Sequence, residues 1–177
     1  MKPILAAVSL AALLAAAPAA EAALKPGAKA PPIHTLASLG GKPIAFDLAA
    51  ALKKGPVVLY FYPAAFTSGC TAEAHAFAEA TDDFKKLGAT VVGVSRDDID
   101  KLHKFSVSEC RNKFAVASDK DGKITTAYDA VLKRKPEYAD RTSYVIARNG
   151  TIAYEYTDLN PEKHVANTMA AVKALKR

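Results

Sequence analysis

The sequence predicts an α/β domain in which helices cover both faces of a mixed β-sheet. Short apolar runs rich in β-branched and aromatic residues alternate with segments of helical periodicity along the chain, a pattern typical of α/β proteins. Glycine-centred turns join strand-like runs directly, which indicates antiparallel pairs beside a parallel centre. The 177 residues contain no convincing linker after the N-terminal region, so we expect one domain.

The first half of the chain predicts a hairpin, a buried strand and a long helix. Two strand-like runs flank Gly40-Gly41, and GPVVLYFYP at 55–63 is typical of a central strand. From Thr71–Ala72 the pattern becomes helical, with apolar residues at Phe77, Ala80, Phe84 and Leu87. Gly88 then stands where a helix commonly ends.

The second half continues with strand, helix, strand, a helical piece, a hairpin and a last helix. The strands are expected at 89–95 and 114–119, and the helical piece at 124–132. Asp97 or Asp98 can cap the first of these helices, which has one stripe formed by Ile99, Leu102, Ser106 and Cys110. The final hairpin turns at Asn149-Gly150, and the last helix opens at Asn160-Pro161. This order suits a thioredoxin-like fold with an added N-terminal hairpin and insertions.

Residues 1–22 predict a secretory signal peptide. One Lys precedes an apolar run of about 14 residues, and a small-x-small cleavage motif ends at Ala22. The run is shorter than the ~20 residues that span a bilayer, although an uncleaved anchor is the alternative. We therefore expect a mature domain at 23–177, exported to the bacterial periplasm and free of the membrane after cleavage.

Charge and histidine placement argue against nucleic-acid and metal binding. The net charge is +6, but the basic residues are scattered except at 133–135, which is typical of a solvated surface. His75, His103 and His164 lie far apart in sequence, and no Cys-x-x-Cys or His-x-x-x-His spacing occurs. We expect neither a cofactor nor a metal.

One of the two cysteines, Cys70, lies where the central strand gives way to the long helix. Unpaired N–H groups and the positive end of a helix dipole favour a thiolate there. Gly69 permits a tight turn and Thr67 offers a hydroxyl, while Pro63 lacks an N–H and forms a rigid wall. These residues leave open a filler, a structural disulfide, a metal ligand or a nucleophile.

The same residues resemble a known family. Pro63, Thr67 and Cys70 match the P-x-x-x-T-x-x-C motif of the peroxiredoxins, and RTSYVIARNG resembles the segment that begins with their catalytic arginine, here Arg141. The resemblance covers about 27–175, and CTAEA at 70–74 is similar to the bacterioferritin-comigratory, or Q-type, subfamily. Ser68 replaces a proline common in that subfamily. His75 stands where many relatives have a second cysteine, which leaves Cys110 as the partner.

The resemblance implies a cofactor-free thiol peroxidase that acts on hydrogen peroxide and organic hydroperoxides. Cys70 attacks the peroxide, and Arg141 stabilises the thiolate and the developing charge. Thr67 and the Cys70 N–H hold the peroxide, while Pro63 limits access of water. Cys110 resolves the sulfenic acid as an intramolecular disulfide, which a thioredoxin-like or small-thiol donor reduces. We expect a monomer or weak homodimer.

Three other functions compete with this one. In a one-cysteine peroxiredoxin, an external thiol resolves Cys70 and Cys110 is structural. A thioredoxin-like oxidoreductase would have Cys-x-x-Cys, usually after Trp, and the chain has no Trp. A non-enzymatic thioredoxin-fold module would keep a permanent Cys70–Cys110 disulfide, which export would help to preserve.

Overall fold

A seven-stranded mixed sheet forms the centre of this computed structural model, which describes residues 23–175. The strands are β1 (His34–Leu39), β2 (Lys42–Asp47), β3 (Val57–Phe61), β4 (Thr90–Ser95), β5 (Ala115–Ser118), β6 (Thr142–Ile146) and β7 (Ile152–Thr157). Their order across the sheet is β2-β1-β5-β4-β3-β6-β7, and β4 pairs in parallel with both β3 and β5. The remaining pairs are antiparallel. The predicted mixed sheet is confirmed, with one hairpin at each edge.

Helices cover both faces of the sheet, as predicted. They are α1 (Leu48–Lys54), α2 (Ser68–Lys86), α3 (Ile99–Ser108), α4 (Lys123–Ala127) and α5 (His164–Ala174), which follows a 3₁₀ turn at Pro161–Lys163. Alternate residues of β3 belong to two apolar clusters: α1 and α4 contribute to the first, while α2, α3 and α5 contribute to the second. Among the described residues, no helix is long and apolar enough to cross a membrane.

Helix α1 is the element that the sequence pattern does not predict. It has seven residues, too few for helical periodicity to stand out from a short apolar run. Its N-cap is the signal that could have found it, because the Asp47 carboxylate accepts a hydrogen bond from the Ala50 N–H at 2.6 Å.

The two ends of α2 differ in how well local sequence predicts them. At the C-terminus, Gly88 has φ +75° and its N–H bonds to the Lys85 carbonyl, while the Ala89 N–H bonds to the Phe84 carbonyl. This Schellman motif confirms the predicted end. The predicted start is wrong by three residues: Thr67 is the N-cap and the helix begins at Ser68. Ser and Gly are weak helix formers, so Ser68 and Gly69 hide the first turn.

Helix α3 ends before Cys110, which corrects the expected helical stripe. Asp98 caps its start by accepting from the Lys101 N–H at 2.9 Å, and its last residue is Ser108. Cys110 lies two residues further on, buried, where the chain begins a turn through Arg111 and Asn112.

Candidate active site

Cys70 lies in the first turn of α2 instead of before the helix. Its side chain is buried, and its Sγ accepts a hydrogen bond from Arg141 Nη2 at 3.5 Å. The first N–H groups of an α-helix have no partner within the helix, and the dipole adds positive potential at this end. The sulfur therefore lies between a guanidinium and a helix N-terminus, both of which carry positive charge or potential.

Arg141 is locked in place immediately before β6. The residue is only 4% exposed, and its Nε donates to the Leu159 carbonyl at 2.9 Å while Nη1 donates to Glu73 Oε2. These bonds orient the planar guanidinium so that Nη2 points at Cys70 Sγ. Burial lowers the pKa of Arg141, but Glu73 and Cys70 outweigh it and raise that pKa above its ordinary value.

Gly69 is required for close approach and not for a turn. A Cβ at this position would lie 3.1 Å from Arg141 Nη2, closer than a well-packed contact permits. A side chain at position 69 would therefore push the guanidinium away from Cys70.

Glu73 is a site residue whose role the sequence leaves undecided, because a glutamate near a helix start also simply stabilises the helix. It is fully buried one turn after Cys70. Burial raises the pKa of its carboxyl to about 8, although Arg141 opposes the rise. Its Oε1 has no hydrogen-bond partner among the described residues and lies 3.7 Å from His164 Nδ1.

His164 supports this cluster from the start of α5. Its Nε2 lies 2.8 Å from the Asp158 carbonyl, which only accepts, so Nε2 carries a proton. Its Nδ1 lies 2.8 Å from Ser143 Oγ, and the hydroxyl donates to it. Burial lowers the pKa of the imidazole, so a neutral ring faces Glu73. Nothing in the local sequence links His164 to Cys70.

Thr67 and Pro63 lie on the segment that joins β3 to α2. The Thr67 side chain is exposed, and its hydroxyl donates to the Ala64 carbonyl at 3.0 Å. Pro63 is half-buried where the strand ends. Between them Phe66 has φ +67°, is 46% exposed and packs its ring edge-on against Phe105.

Asp97 holds this segment against the sheet. Its Oδ2 accepts from the Ala65 N–H at 2.7 Å and from Ser95 Oγ at 2.8 Å, while its Oδ1 accepts from Lys101 Nζ at 2.6 Å. The sequence offers Asp97 as a helix cap, but Asp98 fills that role and Asp97 instead positions the loop before Cys70.

Cys110 belongs to the same apolar cluster as Cys70, yet its surroundings are different. Both cysteines are free and buried. Burial first, and then the neighbouring Glu109 carboxylate, raise the pKa of the Cys110 thiol. The structure thus brings Cys70 and Arg141 into contact, places Thr67 and Pro63 on the adjoining loop and leaves Cys110 as an unactivated thiol.

Comparison with known proteins assigns the family. A model described as the AhpC/TSA family matches residues 26–155. The chain belongs to the AhpC/TSA family. Chloroplastic peroxiredoxin Q of Sedum lineare is 35% identical over 147 residues, which cover 82% of this chain and 77% of that protein. The Populus jackii protein of the same name is 36% identical over 148 residues, covering 83% and 68%.

Solved structures agree with this assignment. Mycobacterium tuberculosis peroxidoxin BcpB superposes with a TM-score of 0.79 at 27% identity, covering 87% of this chain and 99% of that one. Plasmodium yoelii thioredoxin peroxidase I gives 0.75 at 25% identity, covering 86% and 91%. The peroxiredoxin fold and the Q-type resemblance are confirmed, and the protein is a thiol-dependent peroxidase that acts on peroxides.

The expected location in the bacterial periplasm is wrong. The relatives from Sedum lineare, Triticum aestivum and Populus jackii are named as chloroplastic. The signal peptide at residues 1–22 lies outside the described residues, so it and the domain boundary at 23 stay predictions.

Proposed function

We propose that Cys70 is the peroxidatic nucleophile, and that Cys110 resolves its oxidised form as an intramolecular disulfide. The observation that carries the first assignment is the contact between Arg141 Nη2 and the buried Cys70 Sγ in the first turn of α2. Guanidinium stays protonated throughout the reaction, so it serves both the thiolate and the transition state.

The first step forms an S–O bond and breaks the peroxide O–O bond. The Cys70 thiolate attacks the terminal oxygen of ROOH, which keeps its hydrogen and becomes the sulfenic acid, Cys70–SOH. The departing RO⁻ takes a proton from water to give ROH or, from hydrogen peroxide, water. Cys70 is oxidised by two electrons and the peroxide is reduced by two.

Thr67 and Pro63 shape the place where the peroxide binds. The Thr67 hydroxyl bonds to a carbonyl of its own turn at 3.0 Å and is exposed, so rotation frees it to hold a peroxide oxygen beside the Cys70 N–H. Pro63 presents a ring without an N–H and limits the approach of water. A peroxide whose O–O bond is held in line with the Cys70 sulfur is already oriented for attack, and this orientation lowers the barrier to reaction.

In the second step the Cys110 thiol condenses with Cys70–SOH to give a disulfide and one water molecule. A disulfide needs the two Cα atoms within roughly 4.4–6.8 Å, and Cys110 is buried beyond the end of α3. In this route the chain around one or both cysteines unwinds locally to bring the two Cα atoms within that range, as helix ends with low local stability do. A thioredoxin-like or small-thiol donor then supplies two electrons. The name of the Plasmodium yoelii neighbour supports the former.

The one-cysteine route is the second candidate, and the burial of Cys110 favours it. A buried thiol with a raised pKa is a poor nucleophile. In that route an external thiol attacks Cys70–SOH and Cys110 never leaves the core.

Intact mass and peptide mapping after one equivalent of peroxide test both candidates. The two-cysteine route predicts a monomer that loses two hydrogens and yields a linked Cys70–Cys110 peptide, while Cys110→Ala yields sulfenic Cys70. A free Cys110 in the oxidised wild-type monomer would establish the one-cysteine route. Peroxide consumption by Cys70→Ser would refute the nucleophile itself.

A further inference from the structure

Three polar pairs fasten the segment 109–113 to helix α2. His75 Nε2 lies 2.8 Å from Glu109 Oε2, Arg111 Nη1 lies 3.1 Å from Glu79 Oε1, and Lys113 Nζ lies 2.8 Å from Asp82 Oδ2. The helix partners are spaced by four and then three residues, so they form one stripe of α2. On the opposite side of these pairs, Glu109, Arg111 and Lys113 are every second residue of the segment that contains Cys110.

The backbone of this segment is strained. Arg111 has φ +50° and Asn112 has φ +58°, two successive non-glycine residues in the left-handed region, which L-residues disfavour. The turn closes through the Cys110 N–H on the Phe105 carbonyl and the Lys113 N–H on the Cys110 carbonyl. Such a conformation persists when contacts outside the segment hold it.

The hairpin turn between β1 and β2 supports the segment from another side. A Cβ at Gly40 would lie 3.1 Å from Asn112 Oδ1, and the Gly41 N–H donates to Ser106 Oγ at 2.9 Å. These are neutral contacts of packed groups. The charged contacts all come from α2.

We propose that the pairs Glu109–His75, Arg111–Glu79 and Lys113–Asp82 form an electrostatic latch that keeps Cys110 buried, and that opening of this latch delivers its thiol to oxidised Cys70. This proposal rests on the two-cysteine function proposed above. It adds that the three pairs regulate the step in which Cys110 reacts with oxidised Cys70. The strength of the three pairs sets how often Cys110 is exposed, and so how oxidised Cys70 divides between disulfide formation and further oxidation.

The exposure of the pairs makes the latch weak enough to open in every cycle. Both side chains of the Arg111–Glu79 and Lys113–Asp82 pairs are more than 40% exposed, and such pairs each change an equilibrium by roughly 1.5- to 5-fold. The hydrogen bond from Lys113 also lowers the pKa of the Asp82 carboxyl. Added salt screens charges of this kind, so the latch should loosen as ionic strength rises.

The latch can be measured without any peroxide. In a Cys70→Ser background Cys110 is the one thiol left, and its alkylation by neutral iodoacetamide under native conditions reports how often the segment opens. Adding Arg111→Gln and Lys113→Gln should accelerate labelling by roughly 3- to 20-fold, after normalisation to the urea-unfolded rate. High salt should accelerate the single Cys70→Ser protein and leave the triple variant almost unchanged.

Matched variants separate charge from general destabilisation. Lys123→Gln breaks the exposed Lys123–Asp121 pair at 2.6 Å, at the start of α4, and should leave the labelling rate unchanged. Arg111→Lys keeps the charge and should label like the parent, and Glu79→Arg with Arg111→Glu should restore slow labelling that either change alone loses. Equal labelling of latch variants and parent, or equal acceleration by Lys123→Gln, overturns the latch.

A second measurement links the latch to the reaction in protein that retains both cysteines. After one equivalent of peroxide, Arg111→Gln with Lys113→Gln should form the Cys70–Cys110 disulfide faster than wild type, and in excess peroxide it should accumulate less sulfinic Cys70. If wild type forms no disulfide, the two-cysteine route fails. The labelling experiment still decides whether the latch exists. If a variant whose Cys110 is alkylated faster still forms the disulfide at the wild-type rate, the latch has no role in the reaction of Cys110 with oxidised Cys70.

Discussion

The two cysteines differ in the charged groups that lie beside each sulfur. Cys70 and Cys110 are both buried in one apolar cluster. Cys70 lies in the first turn of α2 with a guanidinium on its sulfur, whereas Cys110 follows the end of α3 beside the Glu109 carboxylate. A helix dipole favours an anion at its N-terminus and disfavours one near its C-terminus. The charges that lie near the thiol are therefore positive at Cys70 and negative at Cys110.

Replacing each cysteine in turn is the most direct way to break the comparison. Cys70→Ser should abolish peroxide reduction because a hydroxyl is not ionised near neutral pH, and its circular dichroism should match wild type. Peroxide consumption is followed by stopped flow with excess thiol donor. Turnover by the folded variant would place the nucleophile elsewhere.

Arg141→Lys keeps the charge beside Cys70 and removes the planar fork. We expect the second-order rate with peroxide to fall at least a hundredfold, or about 2.7 kcal/mol of transition-state stabilisation. Arg148→Lys is the matched control, because Arg148 donates to the Lys53 carbonyl at the exposed surface. Similar kinetics in both variants would make Arg141 a structural residue.

Glu73→Gln tests the buried carboxyl through the pH dependence of stability. With its pKa raised to about 8, native Glu73 holds a proton that the unfolded chain loses near its ordinary pKa. The unfolded state therefore binds fewer protons between about pH 4.5 and 8, and the free energy of unfolding falls as pH rises through this range. Glutamine cannot ionise, so the variant should lack this component, which amounts to as much as about 4 kcal/mol.

Urea denaturation at pH 5 and pH 8 measures that difference. The quantity of interest is the gap between wild type and Glu73→Gln at each pH, because other titrating groups cancel. A constant gap would mean that Arg141 keeps Glu73 ionised across the range and that burial does not dominate its protonation.

Cys110→Ala should have the smallest effect on the reaction with peroxide, and it tests the comparison at the second cysteine. Formation of Cys70–SOH should keep the wild-type rate, because Cys110 takes no part in the first step, while the intramolecular disulfide disappears. Loss of the buried sulfur should reduce stability by about 1 kcal/mol through a small cavity. A slower first step, seen in single-turnover stopped flow, would show that Cys110 helps to shape the peroxide site.

The sequence predicts a feature when the contacts that decide it are local, and it misses a feature when those contacts come from distant residues. Gly88 ends α2 through bonds that span six residues, so a local pattern predicts it. Glu73 lies three residues after Cys70, and that spacing already puts the two on one helix face. Whether this face meets water or Arg141 depends on a residue 68 positions away. His164 and Asp97 also join the site through contacts between residues far apart in sequence.

The sequence by itself determined the element order except for α1, both edge hairpins and the motif around Cys70, because strand alternation, glycine turns and helix ends are properties of neighbouring residues. The tertiary structure alone decided that the Arg141 guanidinium reaches the Cys70 sulfur, whereas Glu109 stands next to Cys110 in the chain itself. Electrostatic effects on a thiol fall off within several ångströms. Only the folding of the chain brings Arg141, which lies 71 residues from Cys70 in sequence, within that range.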